Sequence, residues 1–390
     1  MKITIVQGAF LPVPALLGGA VEKAWYALGR EFARRGHEVT HIGRRFGDLP
    51  STEVDAGVTY RRVSGFKAPA RLWLLKILDL IYSLRVLTTL PDADILVTNT
   101  FWLPLLARRP RHGRPYVHVA RFPKGQLRLY PESCILQTVS APIRTAILQE
   151  VPRAPARTRV VPYPLAPQHL SPMPASRLPV FLYAGRLHPE KGVHLLIEAF
   201  ARVLPQCPGW TLRIVGPWRA EQGGAGADYR EKLVAMAGDN VEFREPIFNE
   251  EKLIAEYRRA SVFVYPSLAA RGETFGLSVL EAMGAGAVPI VSGLPCFGDF
   301  VTSGENGLSF DHESERPAEL LAAAMVSLAQ DPQRLNELRR AARVTAENHN
   351  LAKVGQRFLD DFSTIITGSP RRALQPDRPL TACIITRPTE

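Results

Sequence analysis

Short β-rich runs alternate with helical patterns along most of this 390-residue chain, and this alternation constrains its fold more than any other feature. In the first half we predict strands at residues 2–6, 38–42, 58–63, 94–98, 116–120 and 135–139. The pattern restarts in the second half, with strands at 180–184, 211–215, 241–243, 262–265 and 287–291. Strands separated by helices form βαβ units and parallel sheets, which bind ligands at the carboxyl ends of the strands. The predicted fold class is therefore α/β, with two Rossmann-like domains.

The division between the two halves is marked by eight prolines between residues 152 and 179. Proline at this density continues neither a helix nor a central strand. We place a linker near 167–178, which divides the chain into an N-terminal domain, 1–170, and a C-terminal domain, 171–367. The last predicted helix, about 351–366, is placed where it can cross back to the first domain. We expect the tail, 368–390, to be loosely attached or disordered.

The termini and the cysteines favour a cytoplasmic protein. The four cysteines are far apart and form no Cys-x-x-Cys pair, which fits a reducing compartment and argues against a zinc site. Met1 and Lys2 lead directly into a buried-strand pattern, which is not typical of a signal peptide. No apolar run approaches the ~20 residues of a membrane span. The best candidate, residues 72–90, is interrupted by Lys76, Asp79 and Arg85.

The positive charge of the chain is concentrated in its first half. Residues 1–172 contain 24 Lys+Arg and 11 Asp+Glu, a net of +13, whereas residues 173–390 contain 24 and 26, a net of −2. A basic domain predicts an anionic partner, which could be a membrane surface, a phosphorylated acceptor or nucleic acid. A solvated basic surface without a partner is the alternative.

A loop with two cations follows the predicted strand 180–184. Arg186 and Lys191 lie in this loop, just before a helix that starts near Gly192. Phosphate binding requires fixed positive charge, and the free N–H groups at a helix start add to it. Arginine can chelate two oxygens, while lysine supplies a point charge. Taken by itself, such a loop can equally be a solvated turn.

Two glutamates follow the predicted strand 262–265. Glu273 lies in the loop after the strand, and Glu281 lies early in a helix that begins at Gly276 or Leu277. Because the stretch around Glu281 is mostly apolar, its carboxylate requires a partner, and paired hydroxyls such as those of a ribose would supply one. The alternative is one glutamate that interacts with the helix dipole and one ordinary loop glutamate.

These two segments resemble the retaining glycosyltransferases of family 4. The family pattern is a Gly-Arg-x4-Lys-Gly loop followed, about eighty residues later, by two glutamates with seven residues between them. Here it appears as Gly185-Arg186, Lys191-Gly192 and Glu273 with Glu281. The resemblance is strong over residues 180–365 and looser over 1–165. It implies the GT-B fold, in which two Rossmann-like domains with parallel sheets face each other across a cleft.

The resemblance also implies roles in binding a nucleotide-sugar donor. Arg186 and Lys191 would hold the donor diphosphate and stabilise the leaving group in place of a metal, so that no metal or other cofactor is expected. Glu281 would bind the nucleotide ribose, and Glu273 would contact the transferred sugar.

Backbone groups complete the implied donor site. The N–H groups of Phe275, Gly276 and Leu277 would reach the sugar or phosphate. The pair Gly18 and Gly19 matches the family's N-terminal glycine loop, which faces donor and acceptor across the cleft. Glycine lets a backbone approach a ligand closely, although a Gly-Gly pair is otherwise a flexible turn.

One histidine of the first half belongs to the same implied site. A histidine near the end of a comparable strand often lines the active cleft in this family, which assigns His118 to the catalytic cleft. A satisfied core histidine is the alternative. Arg121 and Lys124 follow it and could bind an acceptor phosphate.

The implied reaction transfers a sugar from a nucleotide sugar, with a UDP-sugar favoured. The acceptor would be a cell-envelope polysaccharide, a lipid-linked glycan or a glycoconjugate. The alternative is an NAD(P)-dependent oxidoreductase or epimerase on sugar nucleotides, which requires a tight Gly-x-Gly-x-x-Gly turn after the first strand. A proline-containing loop stands there instead. No nucleic-acid-binding module is recognisable, so nucleic acid is not an expected partner.

A pair of aspartates could be mistaken for a metal site. Asp92 and Asp94 form an Asp-x-Asp pair of the kind that binds metal in other transferases. They precede the predicted strand 94–98 at its amino end, away from the edge where α/β folds bind ligands. We interpret them as a polar strand start and predict no metal site.

The segment 66–85 indicates contact with a membrane. It is rich in apolar residues, with Trp73 and Tyr82 suited to an interface. Its basic residues, which could face anionic headgroups, are Lys67, Arg71, Lys76 and Arg85. The alternative is a core helix with a basic outer edge. The resulting hypothesis is a cytoplasmic enzyme that contacts the inner face of an anionic membrane reversibly.

Overall fold

The computed structural model describes residues 1–69, 71–174 and 176–368, which form two α/β domains. Within these residues, an eight-stranded sheet lies in the first half and a six-stranded sheet in the second. Each strand predicted from the sequence is present, with bounds that agree within two residues. The predicted α/β fold with two parallel-sheet domains is confirmed. Apart from Gly368, the predicted tail lies outside the described residues.

The first sheet is built around two short central strands that are buried except for Lys2. Its strands are β1 (Lys2–Val6), β2 (Glu38–Arg44), β3 (Thr52–Asp55), β4 (Val58–Val63), β5 (Ile95–Thr98), β6 (Arg114–Val119), β7 (Ile135–Thr138) and β8 (Thr158–Val160). Their order is β3-β4-β2-β1-β5-β6-β7-β8, parallel except for the pair β3 and β4. The connecting helices are α1 (Ala20–Arg34), α2 (Leu72–Leu87), α3 (Leu103–Leu106) and α4 (Ala141–Glu150).

The second sheet is parallel throughout. Its strands are β9 (Leu178–Ala184), β10 (Thr211–Val215), β11 (Val241–Arg244), β12 (Ala260–Tyr265), β13 (Val288–Ser292) and β14 (Leu308–Phe310), in the order β11-β10-β9-β12-β13-β14. Its helices are α5 (Val193–Val203), α6 (Ala227–Met236), α7 (Glu250–Arg259), α8 (Leu277–Ala285), α9 (Pro317–Ala329), α10 (Pro332–Asn348) and α11 (Leu351–Thr367). The strand order reverses between β9 and β12, and such a reversal opens a crevice at the carboxyl ends of the two strands.

Three strands of the structure were not predicted from the sequence: β3, β8 and β14. The strand β3 is an antiparallel edge strand whose side chains are mostly exposed, so it lacks a buried face. The other two contain three residues each. Strands this short carry too little periodicity to be recognised, and they form because a neighbouring strand offers unpaired backbone groups.

Three arginines hold the carboxyl end of α8 in place. The carbonyl oxygen of Gly284 accepts from Arg343 at 2.6 Å, and that of Gly286 accepts from Arg339 at 3.2 Å. Arg177 donates to the carbonyl of Ala285. The last carbonyls of a helix have no intrahelical partners and carry partial negative charge, so cations are stabilising there. The helix that carries Glu281 is thereby fixed to the linker and to α10.

The last helix, α11, packs against the first domain. Its Phe358 contacts Trp25 and Phe32 of α1, with ring centroids 5.0 and 6.5 Å apart. The buried carboxylate of Asp361 accepts hydrogen bonds from the Tyr116 hydroxyl at 2.8 Å and from Arg159 Nε at 2.7 Å. These contacts tie the end of the described chain to its first 160 residues.

The helix α2 has two apolar faces, of which only one is covered. Tyr82 and Val86 are fully buried against the first sheet, whereas Trp73, Ile77, Ile81 and Leu84 are exposed. The expectation that Tyr82 lies at an outer interface is wrong, because its ring fills the core between α2 and the sheet. None of the described helices has both the length and the apolar content that a membrane-spanning segment requires.

Candidate active site

The loop after β9 is held close to the neighbouring strand ends by glycines. Gly192 has a φ of +69°, and a Cβ there would lie 2.0 Å from the carbonyl oxygen of Pro266. Gly185 donates its N–H to the carbonyl of Val215 at 3.0 Å. A side chain at position 192 would therefore push the loop away from the segment that follows β12. These glycines bring the predicted cations to the crevice between β9 and β12.

Both predicted cations are paired with carboxylates. Lys191 is buried, and its Nζ donates to Glu273 Oε2 at 2.7 Å. Its ammonium also lies over the ring of Tyr265, 5.7 Å from the centroid. Arg186 is more exposed and donates to Glu190 Oε1 at 2.8 Å and to the carbonyl of Gly223 at 2.7 Å. Thus Lys191 and Glu273, 82 residues apart in the chain, meet in the crevice where the strand order reverses between β9 and β12, which we call the switch point.

The start of α8 faces the same crevice. Gly276 precedes the helix with a φ of +86°, and a Cβ there would lie 2.5 Å from Phe297 Cε1. Phe275 is buried against Phe300, with centroids 5.1 Å apart, and Leu277 is the first helical residue. The first N–H groups of a helix have no intrahelical partners and can bind an anion or a hydroxyl.

Glu281 lies one turn into α8 and is almost fully buried. Its Oε1 accepts from Lys23 Nζ at 2.6 Å, and its Oε2 accepts from the Tyr257 hydroxyl at 3.4 Å. His169 Nε2 is 3.8 Å from Oε1. From the sequence we expect this carboxylate to need a partner, and in the structure a lysine of the first domain is one.

The glycine loop of the first domain leads directly into α1. Gly18 and Gly19 have φ values of +77° and +110°, which favour glycine at both positions. A Cβ on Gly19 would lie 2.2 Å from Glu22 Oε2, which folds back over the helix start. Burial raises the pKa of Glu22 to about 6. The two positive φ values bend the loop sharply at the carboxyl side of β1.

His118 is buried near the end of β6. Its Nδ1 is 2.5 Å from Gln137 Oε1, and because the Gln137 amide donates to two carbonyls, that oxygen accepts from Nδ1–H. Its Nε2 is 3.4 Å from the Tyr163 hydroxyl. Burial lowers the pKa of His118 to about 4, so the ring is neutral near pH 7. Tyr163 packs edge-on against Phe275, which connects His118 to the start of α8.

The aspartate pair of the first domain is occupied by structural contacts. Asp94 Oδ2 accepts from the backbone N–H of Lys2 at 2.7 Å, and Asp92 is 3.8 Å from Arg111. Both lie before β5, at its amino end. No group of three or more potential metal-ligating side chains occurs among the residues that the structure describes.

Sequence reasoning missed the residues that meet Glu281 from other elements. Lys23 lies 258 positions away from Glu281 in the chain, and nothing around it indicates that partner. Glu250 was not singled out from the sequence, yet its Oε1 is 2.8 Å from Lys23 Nζ. His169 lies in the proline-rich linker segment and is 3.2 Å from Glu250. These groups come together only because the two domains pack against each other.

Comparison with solved structures defines the class of fold. Sucrose-phosphate synthase from Thermosynechococcus elongatus superimposes with a TM-score of 0.75 at 21% identity, covering 95% of this chain and 100% of that one. Alr3699/HepE from Anabaena, solved in complex with UDP and glucose, superimposes with a TM-score of 0.68 at 19% identity, covering 93% and 100%. Two parallel-sheet domains with these structural neighbours define a GT-B protein.

Sequence comparison then gives the family. The family described as "Glycosyl transferases group 1" matches residues 172–345, and the "Glycosyl transferase 4-like domain" matches residues 19–153. Both matches are to glycosyltransferase families and lie one in each domain, which confirms the resemblance inferred from the motifs.

Curated relatives match about half of the chain. Glycogen synthase of Mycobacterium tuberculosis (strain ATCC 25618 / H37Rv) is 34% identical over 203 residues, which are 50% of this chain and 42% of that protein. D-inositol 3-phosphate glycosyltransferase of Streptomyces bingchenggensis is 32% identical over 198 residues, which are 49% and 41%. The matched region therefore spans less than half the length of these relatives.

Proposed function

We propose that this chain is a retaining glycosyltransferase that uses a nucleotide-sugar donor, with a UDP-sugar favoured. The observation that carries the proposal is the arrangement at the switch point of the second sheet. There the loops after β9 and β12 bring Lys191 to 2.7 Å from Glu273, and Glu281 follows in the helix that starts at the same place. In a nucleotide sugar the diphosphate lies between the transferred sugar and the ribose. Such a ligand requires cations at the diphosphate and a carboxylate for the hydroxyls of the sugar on each side of it.

In the proposed reaction, Arg186 and Lys191 stabilise the leaving group. The bond between the anomeric carbon and the phosphate oxygen breaks while the acceptor hydroxyl oxygen bonds to that carbon. The phosphate oxygen keeps the electron pair, so negative charge grows on the diphosphate until it takes up the proton of the acceptor hydroxyl. Preorganised cations at that position lower the barrier. The Lys191 ammonium has three N–H donors and can therefore contact a phosphate while it remains bound to Glu273. We propose that these two cations replace a metal ion.

The remaining donor contacts come from α8 and from the first domain. Glu281 would accept hydrogen bonds from the ribose hydroxyls, and the N–H groups of Phe275, Gly276 and Leu277 would bind the sugar or phosphate. A buried carboxylate has spare acceptor capacity even with one lysine bound, because each oxygen accepts about two hydrogen bonds. Glu273 would contact the transferred sugar.

First-domain residues would close the donor site from the opposite side of the cleft. The loop of Gly18 and Gly19 and the neutral ring of His118 would line this side. His118 connects to the start of α8 through Tyr163, whose hydroxyl is 3.4 Å from its Nε2. This short chain of contacts supports its place at the cleft.

Nucleotide binding tests the donor proposal directly. We expect UDP, and less strongly GDP or ADP, to raise the unfolding temperature of the protein, while NAD leaves it unchanged. Glu281→Gln should severely weaken this stabilisation. Glu305→Gln, an exposed turn glutamate of the same domain, is the matched control and should behave as the unchanged protein. Stabilisation by NAD alone would favour the oxidoreductase or epimerase instead.

Similar proteins support a UDP-sugar donor and a glycan or phosphorylated acceptor. Alr3699/HepE was solved with UDP and glucose, and one curated relative is a D-inositol 3-phosphate glycosyltransferase. We therefore propose an acceptor of the cell-envelope type, lipid-linked or otherwise anionic, bound by the basic first domain. A panel of UDP-, GDP- and ADP-sugars, assayed for hydrolysis and transfer, tests this choice.

The exposed face of α2 supports contact with an anionic membrane. Trp73, Ile77, Ile81 and Leu84 are 58, 46, 37 and 47% exposed, and we call them the apolar stripe. At 3.6 residues per turn their spacing places them within an arc of about 80°. Lys67, Arg71, Lys76 and Arg85 are also exposed. An apolar stripe flanked by cations is suited to insertion between anionic headgroups, where each basic residue contributes about 1 kcal/mol.

Sedimentation with liposomes tests the membrane part of the proposal. We expect binding that rises with the content of anionic lipid and falls at high salt. Ile77→Ser should weaken binding about 10-fold, because it removes an aliphatic side chain that would be buried in the membrane interface on binding. Leu320→Ser, a comparably exposed leucine on α9, is the matched control. Absence of binding to anionic liposomes at low salt would favour a soluble acceptor. The proposed location is the cytoplasm, at the inner face of the membrane.

A further inference from the structure

One lysine of the first domain reaches across the cleft to the helix that carries Glu281. Lys23 lies in the first turns of α1, yet its Nζ is 2.6 Å from Glu281 Oε1 and 2.8 Å from Glu250 Oε1. Glu250 begins α7, so the single ammonium joins α1 of the first domain to α7 and α8 of the second. A contact of this kind exists only while the two domains are together.

The charges around this lysine balance one another. Burial disfavours the ammonium, but Glu281 and Glu250 outweigh this effect and raise the pKa of Lys23. A hydrogen bond from His169, together with Lys23, lowers the pKa of Glu250 to about 2. Tyr257 also faces the cluster, and its hydroxyl donates a hydrogen bond to Glu281. Lys23 is therefore charged and placed between two carboxylates, of which Glu281 is the buried one.

The carboxylate of Glu281 depends on this partner. Its side chain is only 7% exposed, and an ionised carboxylate at such a position is strongly destabilised without a counter-charge. The ammonium binds one edge of the carboxylate, at Oε1. It thereby limits the rotation of the side chain and determines which lone pairs remain for another donor group.

We propose that Lys23 is a positioning residue of the donor site, which holds the Glu281 carboxylate oriented to accept hydrogen bonds from the ribose of a nucleoside diphosphate. The inference rests on the proposed role of Glu281. Because Lys23 belongs to the first domain, the ribose site is complete only when the domains are closed on each other. By linkage, nucleoside diphosphate binding then stabilises the closed arrangement.

Lys23 and the ribose bind the carboxylate together and do not compete for it. Both are hydrogen-bond donors, and a carboxylate offers about four acceptor positions on two oxygens. Lys23 uses one of these positions, and the Tyr257 hydroxyl makes only a long contact of 3.4 Å. Removal of the lysine should therefore weaken nucleotide binding, whereas a competing lysine would give the opposite result.

The test measures calorimetric binding of UDP, GDP and ADP to the full chain, using whichever nucleotide the unchanged protein binds most tightly. Lys23→Met should raise the dissociation constant about 10- to 100-fold, the usual range for a lost charge-assisted hydrogen bond. Lys23→Arg keeps the charge and should restore most of the affinity. Arg30→Met is the matched control, because Arg30 lies on the same helix and pairs with Asp55 inside the first domain.

A double-mutant cycle distinguishes positioning from a direct or purely structural role. If Lys23 acts through Glu281, Lys23→Met should weaken binding no further in a Glu281→Gln background. A merely structural lysine would lower the unfolding temperature of the free protein and leave the nucleotide affinity unchanged. Equal weakening in both backgrounds, or tighter binding by Lys23→Met, would overturn the inference.

The outcome for Glu281→Gln alone separates this inference from the proposed function. If that variant binds nucleotides as the unchanged protein does, the ribose role of Glu281 is wrong, and the inference fails with it. If Glu281→Gln loses binding and Lys23→Met does not, the proposed function stands and only the role of Lys23 is wrong. The expected transfer kinetics of Lys23→Met are a raised donor KM with a largely retained kcat.

Discussion

Replacing Lys191 with methionine separates the structural and the proposed catalytic contributions of this side chain. Lys191 and Glu273 form an ion pair of 2.7 Å in which the side chains are 7 and 11% exposed. Methionine has a similar length and fills the same space without charge. The substitution therefore leaves Glu273 as a largely buried carboxylate without its cation, and it removes one of the two positive charges proposed to face the diphosphate.

The expected loss of stability follows from the burial of the pair. Removing one partner of a buried ion pair costs about 3–5 kcal/mol, because the other charge stays buried and uncompensated. For a domain of 150–250 residues, each kcal/mol lowers the unfolding temperature by about 2–4 °C. We take the lower end of the energy range, since both groups retain slight exposure, and expect a decrease of about 6–12 °C.

The expected loss of activity is independent of this destabilisation. One preorganised group that stabilises developing negative charge contributes about 10²–10³ in kcat. The double variant Lys191→Met with Glu273→Gln removes both charges, so it should recover part of the unfolding temperature while transfer stays low. Lys252→Met, an exposed lysine of α7, serves as the control for charge removal.

Two assays decide the prediction: thermal unfolding without nucleotide, and initial rates of donor hydrolysis at a temperature well below unfolding. Retention of kcat/KM within a factor of about 3 in Lys191→Met would refute the role at the diphosphate. A double variant that is less stable than the single Lys191→Met would refute the argument from the unpaired carboxylate.

Three further predictions concern glycine geometry, pH and metal ions. Gly276→Ala should lower stability by about 1–3 kcal/mol and weaken nucleotide binding, because its φ is +86° and its Cβ would meet Phe297; Gly298→Ala, with open space around it, should be tolerated. Burial depresses the pKa values of His41 to about 3 and His118 to about 4, so the unfolded chain takes up these protons first as the pH falls. The free energy of unfolding in urea should therefore decrease from pH 6.5 to pH 4 relative to that of the variant His118→Gln, by about 1.4 kcal/mol per pH unit, and a constant difference would contradict this. The comparison with a variant removes the opposite effect of Glu22, Asp79 and Asp299, whose pKa values burial raises to about 6. Transfer should persist in EDTA, and a loss restored by Mg²⁺ or Mn²⁺ would contradict the metal-free proposal.

Much of the fold could be predicted because it is encoded in local patterns. Buried parallel strands appear as short apolar runs, and the prolines between residues 152 and 179 mark the stretch between the two sheets. The strands β3, β8 and β14 could not be predicted, because their pairing depends on edges that other segments provide. The helix α2 is apolar on nearly every side, so its periodicity carried no information about which face is covered. The structure buries Tyr82 and leaves Trp73 exposed.

The sequence by itself placed Lys191 and Glu273 after two predicted parallel strands, whose carboxyl ends lie at one edge of the sheet. The structure showed that these two strands are neighbours and that the two side chains form an ion pair. The sequence also placed a carboxylate, Glu281, in an apolar helix where it needed a partner. Only the tertiary structure decided that this partner is Lys23, because contacts between two separately folded sheets depend on how the domains lie against each other and leave no trace in local spacing.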